Sequence, residues 1–261
     1  MKNLLLLLAI VVIAVSCDSS QKNNPDGTWV KKEYYDNGNI LKCEMQLKDS
    51  LRHGVTRNYD RKGKLMSMAH FVNNKKEGVA INYYPSGIIN QEMVYKDNKL
   101  EGEAKMYYET GKLYMISHYL NNKKQGLEQT FYESGKLKSE QEYYNGGAGI
   151  GLKEYSTSGE EVTKKPTIVI REINPPFEEK LILEISLSNK SSNVKFYQDT
   201  LVHGKYMYKY MNSIDTRNGV GRLTWYKSGL IQMKKLNIVA EVTTQRRNKL
   251  IIQRSYNLVV N

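Results

Sequence analysis

Six glycines, Gly38, Gly63, Gly87, Gly111, Gly135 and Gly159, follow one another at intervals of 25, 24, 24, 24 and 24 residues. An aromatic stands four positions before each one: Tyr34, Tyr59, Tyr83, Tyr107, Phe131 and Tyr155. A fixed period of this length means a stack of similar small units, and it constrains the fold more than any single side chain does. A second glycine register, Gly54, Gly78, Gly102 and Gly126, runs nine residues ahead of the first, with Gly151 as its slipped fifth member. Each unit is therefore two short segments and two turns.

The segments read as strands. Counting from each repeat glycine as zero, position two is Ile40, Leu65, Ile89, Leu113 and Leu137, and position eight is Phe71, Tyr95, Tyr119 and Tyr143. In a strand of period two these positions share a face, so the even spacing buries aliphatic and aromatic together. One connector, Asn73-Asn74-Lys75, Asp97-Asn98-Lys99 or Asn121-Asn122-Lys123, has tight-turn chemistry, because Asn and Asp tolerate positive φ. The other, such as Pro85-Ser86-Gly87, puts glycine where a hairpin loop needs a left-handed residue. One β-hairpin per repeat, extended as a meandering sheet, is the prediction for residues 28–163. The array frays at both ends, with an extra residue between Gly38 and Gly54 that reads as a bulge and a glycine-rich dissolution after Asn145.

The Tyr-x-x-x-Gly-x-Leu core followed by an Asp/Asn-x-x-x-Glu-Gly turn resembles the variant MORN repeat of bacterial proteins, over about half the chain. The resemblance implies a β-hairpin solenoid that binds something, usually protein and sometimes lipid. Some members carry the label of antitoxin, so an immunity or antitoxin-like role that neutralises a toxin partner is the alternative it raises.

The chain opens differently. Leu4 to Val15 is an unbroken apolar run of 12 residues, too short to cross about 30 Å of hydrocarbon as a helix, and it reads as the core of a signal peptide over residues 1–16. Ala14-Val15-Ser16-Cys17 resembles a bacterial lipobox, which implies cleavage before Cys17 and its acylation. Cys43 is then the lone thiol, so no intramolecular disulfide forms. Residues 17–27, rich in Ser, Asn and Gln, read as a tether, and the expected location is the bacterial cell envelope, at the outer membrane.

The second half loses the period. Lys164-Lys165-Pro166 and Asn174-Pro175-Pro176 mark a seam, and β-patterned runs follow at 180–187, 193–197, 205–210, 221–226, 229–242 and 250–260. A basic β-rich unit over 164–261, a small β-sandwich, is the expectation. Trp225, Gly229 and Ile231 reproduce the repeat spacing, so continuation of the repeat sheet through an insertion is the rival. Charge separates the halves sharply: residues 17–163 hold 21 Lys and Arg against 20 Asp and Glu, whereas 164–261 hold 17 against 7. For an exported protein such a surface points to anionic lipid or polysaccharide and not to nucleic acid.

A search for chemistry ends in columns. His70 and His118 share one repeat position two units apart, about 19 Å in a stacked sheet, which excludes joint ligation of a metal. Glu92 and Glu140 share another. No cofactor loop or nucleophile arrangement is legible, and the chain reads as a non-enzyme. Tyr35, Tyr84, Tyr108 and Tyr132 each follow a column aromatic, and by strand alternation they point to the opposite face. They are the candidate binding row for a protein or glycan, the competing reading being a second packed face.

Overall fold

The computed structural model describes residues 24–35 and 38–260, so Cys17, the apolar run before it and most of the tether lie outside the described part. It is all-β. The repeat region holds β1 (Trp29–Tyr34), β2 (Leu41–Lys48), β3 (Leu51–Tyr59), β4 (Leu65–Val72), β5 (Lys75–Tyr83), β6 (Ile89–Lys96) and β7 (Lys99–Tyr107). It continues with β8 (Leu113–Leu120), β9 (Lys123–Lys124), β10 (Gly126–Phe131), β11 (Leu137–Tyr144), β12 (Gly147–Ala148) and β13 (Lys153–Glu154). These form one antiparallel sheet in sequence order, with β9 paired to β8 and β13 to β11.

Two kinds of turn make the meander. Asp49-Ser50, Asn73-Asn74, Asp97-Asn98, Asn121-Asn122 and Asn145-Gly146 all have left-handed φ at both residues, near 48–50° and then 64–86°. That is the two-residue hairpin turn whose twist matches the strands. At the opposite edge the repeat glycine closes a three-residue loop, as where the Gly87 amide donates to the Tyr84 carbonyl and the Tyr84 amide to Ile88. The extra residue of the first unit falls inside this loop and not in a strand: the Tyr35 amide reaches Ile40, one position further on.

Neighbouring hairpins are stapled along both edges. On one, the Asn74, Asn98 and Asn122 side-chain oxygens accept from the backbone amides of Arg52, Lys76 and Leu100, at 2.7–2.8 Å. On the other, the hydroxyls of Tyr35, Tyr84, Tyr108 and Tyr132 donate to the carbonyls of Tyr59, Tyr107, Phe131 and Tyr155, each at 2.7 Å. Cations add a third tie, with Arg52 over the Phe71 ring, Lys76 over Tyr95 and Lys124 over Tyr143, at 4.1–4.8 Å.

Within the strands the second glycine register marks bulges. Met93 pairs with Ala104 and Tyr95 with Leu100, so Val94 alone faces Glu101-Gly102-Glu103. Gly102 takes a φ of 112° to allow it. The residues facing the bulges form a column 24 apart: Gln46, His70, Val94, His118 and Glu142.

The second half is a sandwich. One sheet has the order β14 (Ile168–Ile173), β15 (Lys180–Leu187), β19 (Val220–Tyr226), β18 (Thr216–Arg217). The other has β17 (Ser213–Ile214), β16 (Val194–Gln198), β20 (Gln232–Thr243), β21 (Lys249–Val260). Alternate residues of β15, Leu181, Leu183, Ile185 and Leu187, are buried against Phe196, Ile238, Ala240 and Leu258. Continuation of the repeat sheet is excluded, since Trp225 sits in β19 and pairs with Leu181. Two expectations need correction. Residues 168–173, read as part of a seam, form a strand, because Ile168 fills the sandwich core. Residues 205–210, read as a strand, form a loop instead, since their backbone bonds to the end of the repeat array through the Lys205 carbonyl and the Met207 amide.

Two substitutions test the staples. Tyr84→Phe removes one rung and should lower stability by about 1 kcal/mol, seen as a lower urea midpoint at unchanged slope. Asn98→Ala should be less stable than Asn98→Gly by about another 1 kcal/mol, because both lose the rung but only glycine tolerates the left-handed turn.

Candidate binding cleft at the end of the repeat array

The last hairpin is where the two halves meet. Glu142, the fifth member of the bulge-facing column, accepts from Lys205 Nζ and, at 3.0 Å, from the Tyr206 hydroxyl. The Met207 amide donates to the Ala148 carbonyl at 3.0 Å and the Ile150 amide to Lys205 at 2.9 Å. Below this, Glu154 Oε1 accepts from Thr244 Oγ1 and Asn248 Nδ2, both at 2.6 Å. Leu152, only 1% exposed, belongs to the sandwich core although it follows the last repeat. The glycines that blur the fifth repeat have a packing reason: a Cβ on Gly147 would lie 1.7 Å from the Met207 carbonyl oxygen.

Docking leaves a cleft of about 980 Å³ between the Asn145-Gly146 turn and the 207–210 loop, at the upper end of ligand-site volumes. Five tyrosines line it, Tyr143, Tyr144, Tyr197, Tyr208 and Tyr210, with Lys123, Lys124, Lys209 and Lys249. The carboxylate lining it, Glu241, is engaged by the Tyr197 hydroxyl at 3.1 Å and Lys249 at 2.7 Å. Lys124 is bonded to Glu128, and Lys209 lies 5.2 Å over the ring of Tyr210, which is 76% exposed. Burial and the nearby Glu241 push Tyr197 up to about 12, and burial with Glu128 raises Tyr143. Tyr208 is raised by its 2.5 Å bond to Asp199. At neutral pH these phenols are protonated, so the cleft presents ring faces, hydroxyl donors and positive charge.

The proposed binding row lies elsewhere. Tyr35, Tyr84, Tyr108 and Tyr132 open the glycine loops after the strands have ended, so strand alternation does not set their direction. They are half-buried, their hydroxyls are occupied by the staples, and the rings of Tyr35, Tyr108 and Tyr132 meet Arg61, Tyr114 and Lys138. The row is interrupted at Asp60, whose carboxylate accepts from the amides of Lys62 and Lys64 and closes its own loop. Tyr59, Tyr83, Tyr107 and Phe131 stand at the strand ends, with the Tyr107 hydroxyl on Glu92 at 2.7 Å. Gly63, Gly87, Gly111, Gly135 and Gly159 take φ of 76–100° as the loops require, and Gly38 takes 70°. The sequence missed the cleft because its walls come from four separated segments. The visible signal was the density of Tyr and Lys in Lys205-Tyr-Met-Tyr-Lys-Tyr210.

A second depression runs along one face of the sheet. Pairing aligns Thr56, Ala69, Ala80, Met93, Ala104 and Ser117 across it. Small side chains make the floor of a furrow of about 280 Å³ near Phe71 and Tyr95. Among the described residues the buried Thr56 and Ser117 hydroxyls have no partner.

Comparison with known proteins fits this geometry. Residues 52–73, 76–97, 100–121 and 124–145 match the MORN repeat variant. The matched segments coincide with successive pairs of strands from β3 to β11. No curated protein matches it. A solved structure, the extracellular domain assigned to a one component system of B. thetaiotaomicron, aligns at 11% identity and a TM-score of 0.21. The alignment covers 85% of this chain but 30% of that one, a likeness too low to carry an argument.

The junction gives two tests. Gly147→Ala forces apart β12 and the 207–210 loop and should cost about 2 kcal/mol or more, with protease cleavage between the halves accelerated in the variant. Hydrogen bonds from Lys205 and Tyr206 hold the Glu142 carboxyl below its ordinary value of 4.5. A depressed carboxylate stabilises above its unfolded value and loses that contribution as pH falls through the folded one. The thermal midpoint should therefore drop more steeply between about pH 5 and 3 in the wild type than in Glu142→Gln.

Proposed function

We propose that this protein is a non-catalytic scaffold of the bacterial cell envelope, held to the membrane through acylated Cys17, which captures an acidic segment of a protein partner in the junction cleft. The observation that carries the reading is the composition of the cleft: five tyrosines and four lysines around about 980 Å³, with its lining carboxylate already engaged. Tyrosines supply rigid amphipathic area at small entropic cost, and lysines supply charge for acidic side chains. The stapled repeats fit a scaffold, since they hold one wall of the cleft on a rigid sheet. The tyrosine row and the furrow extend the available contact area along the array.

A photo-crosslinking residue placed at Tyr210 in intact cells should capture one abundant protein, and capture should fall at least about tenfold when Lys123 and Lys209 are both replaced by Glu. Captured polysaccharide, or no adduct, would overturn the reading. A secreted toxin as the captured protein would instead make the scaffold an immunity protein.

A further inference from the structure

We infer that the end of the sandwich formed by the β14–β15 and β19–β20 loops inserts into the interface of an anionic membrane. This goes beyond the proposed partner capture and does not depend on the lipid at Cys17.

The two loops lie side by side. Lys180 pairs with Tyr226 across β15 and β19, and the Lys227 amide donates to the Glu179 carbonyl at 2.9 Å. Both loops project apolar side chains away from the core. Phe177 is fully exposed, Leu230 and Ile231 are 72% and 73% exposed, and Met233, at the start of β20, is 80% exposed. Tyr226 stands beside them at 77%. Soluble surfaces carry scattered apolar residues, but five large ones gathered on two adjacent tips mark a contact with something apolar. Phe177 also holds a φ of 66°, a conformation a bulky residue rarely adopts, and it is spent on presenting a ring to solvent.

Charge identifies the occupant. Lys180 and Lys227 flank the loops and Lys234 and Lys235 follow Met233 in β20, against Glu178 and Glu179. Glu178 is bonded to Lys180, and among the described residues Lys227, Lys234 and Lys235 have no carboxylate within ion-pair distance. Apolar tips with a collar of long cationic side chains match the layered chemistry of a bilayer surface: rings and aliphatic chains reach the acyl boundary while ammonium groups meet phosphates. The same residues account for what the repeat-like spacing of Trp225, Gly229 and Ile231 left without a role, since the connection that carries it between the two sheets lies at the tip.

The experiment uses the full-length chain with a nitroxide at Ile231→Cys, in vesicles of mixed phosphatidylcholine and phosphatidylglycerol. Collision with oxygen relative to an aqueous nickel reagent should rise several-fold over the protein without vesicles. A label at Lys62→Cys, on an exposed repeat loop, should show no such rise. Adding Lys227→Glu, Lys234→Glu and Lys235→Glu should abolish the rise at 231. Equal nickel access at 231 and 62 in vesicles would overturn the inference. So would shielding of 231 from both reagents before vesicles are added, which would make the patch a contact between copies.

Discussion

The left-handed two-residue turn is the constraint on which the repeat half rests. Asn at its second position does two things at once: it accepts the conformation, and its side-chain oxygen reaches the amide of the preceding hairpin. A single sheet that folds back every dozen residues has no opposing layer, so hairpins must be held to their neighbours at the edges as well as through the ladder. The tyrosine hydroxyls do the same at the far edge. The two rails explain why Asn and Tyr recur in register with the glycines.

The sandwich solves a different problem. It has two layers and an apolar core, and residues ahead of the seam engage it: Leu152, Glu154 and Glu142 find their partners in the second half. The exposed end of a solenoid needs a cap with its own hydrogen bonds. Here the cap is also a wall of the cleft, so the surface that ends the array is the one that acquires a concavity.

Much of the fold was legible because its determinants are local. Glycine and Asn/Asp columns specify φ within a few residues, and alternation as in Leu181 to Leu187 specifies a buried face. What was not legible depends on partners far along the chain. The tyrosine staples end on backbone carbonyls 23 or 24 residues away, and a carbonyl leaves no mark in a sequence. Lys205 to Tyr210 alternates as a strand does, yet its bonds go to the end of the array, a fact set by tertiary docking. The cleft likewise joins residues 123–148 to 197–210 and 241–249, a juxtaposition that no spacing encodes.

The rungs before Tyr132 join one hairpin to the next, while the Tyr132 hydroxyl also accepts from Arg246 of the second half. A unit inserted or deleted between Tyr59 and Tyr107 therefore leaves the cleft and the sandwich untouched. Each adds two strands, about 10 Å of sheet at the usual strand separation. The array is a ruler whose copy number sets the distance from β1 to the junction, adjustable in whole steps while what is held at the far end stays the same.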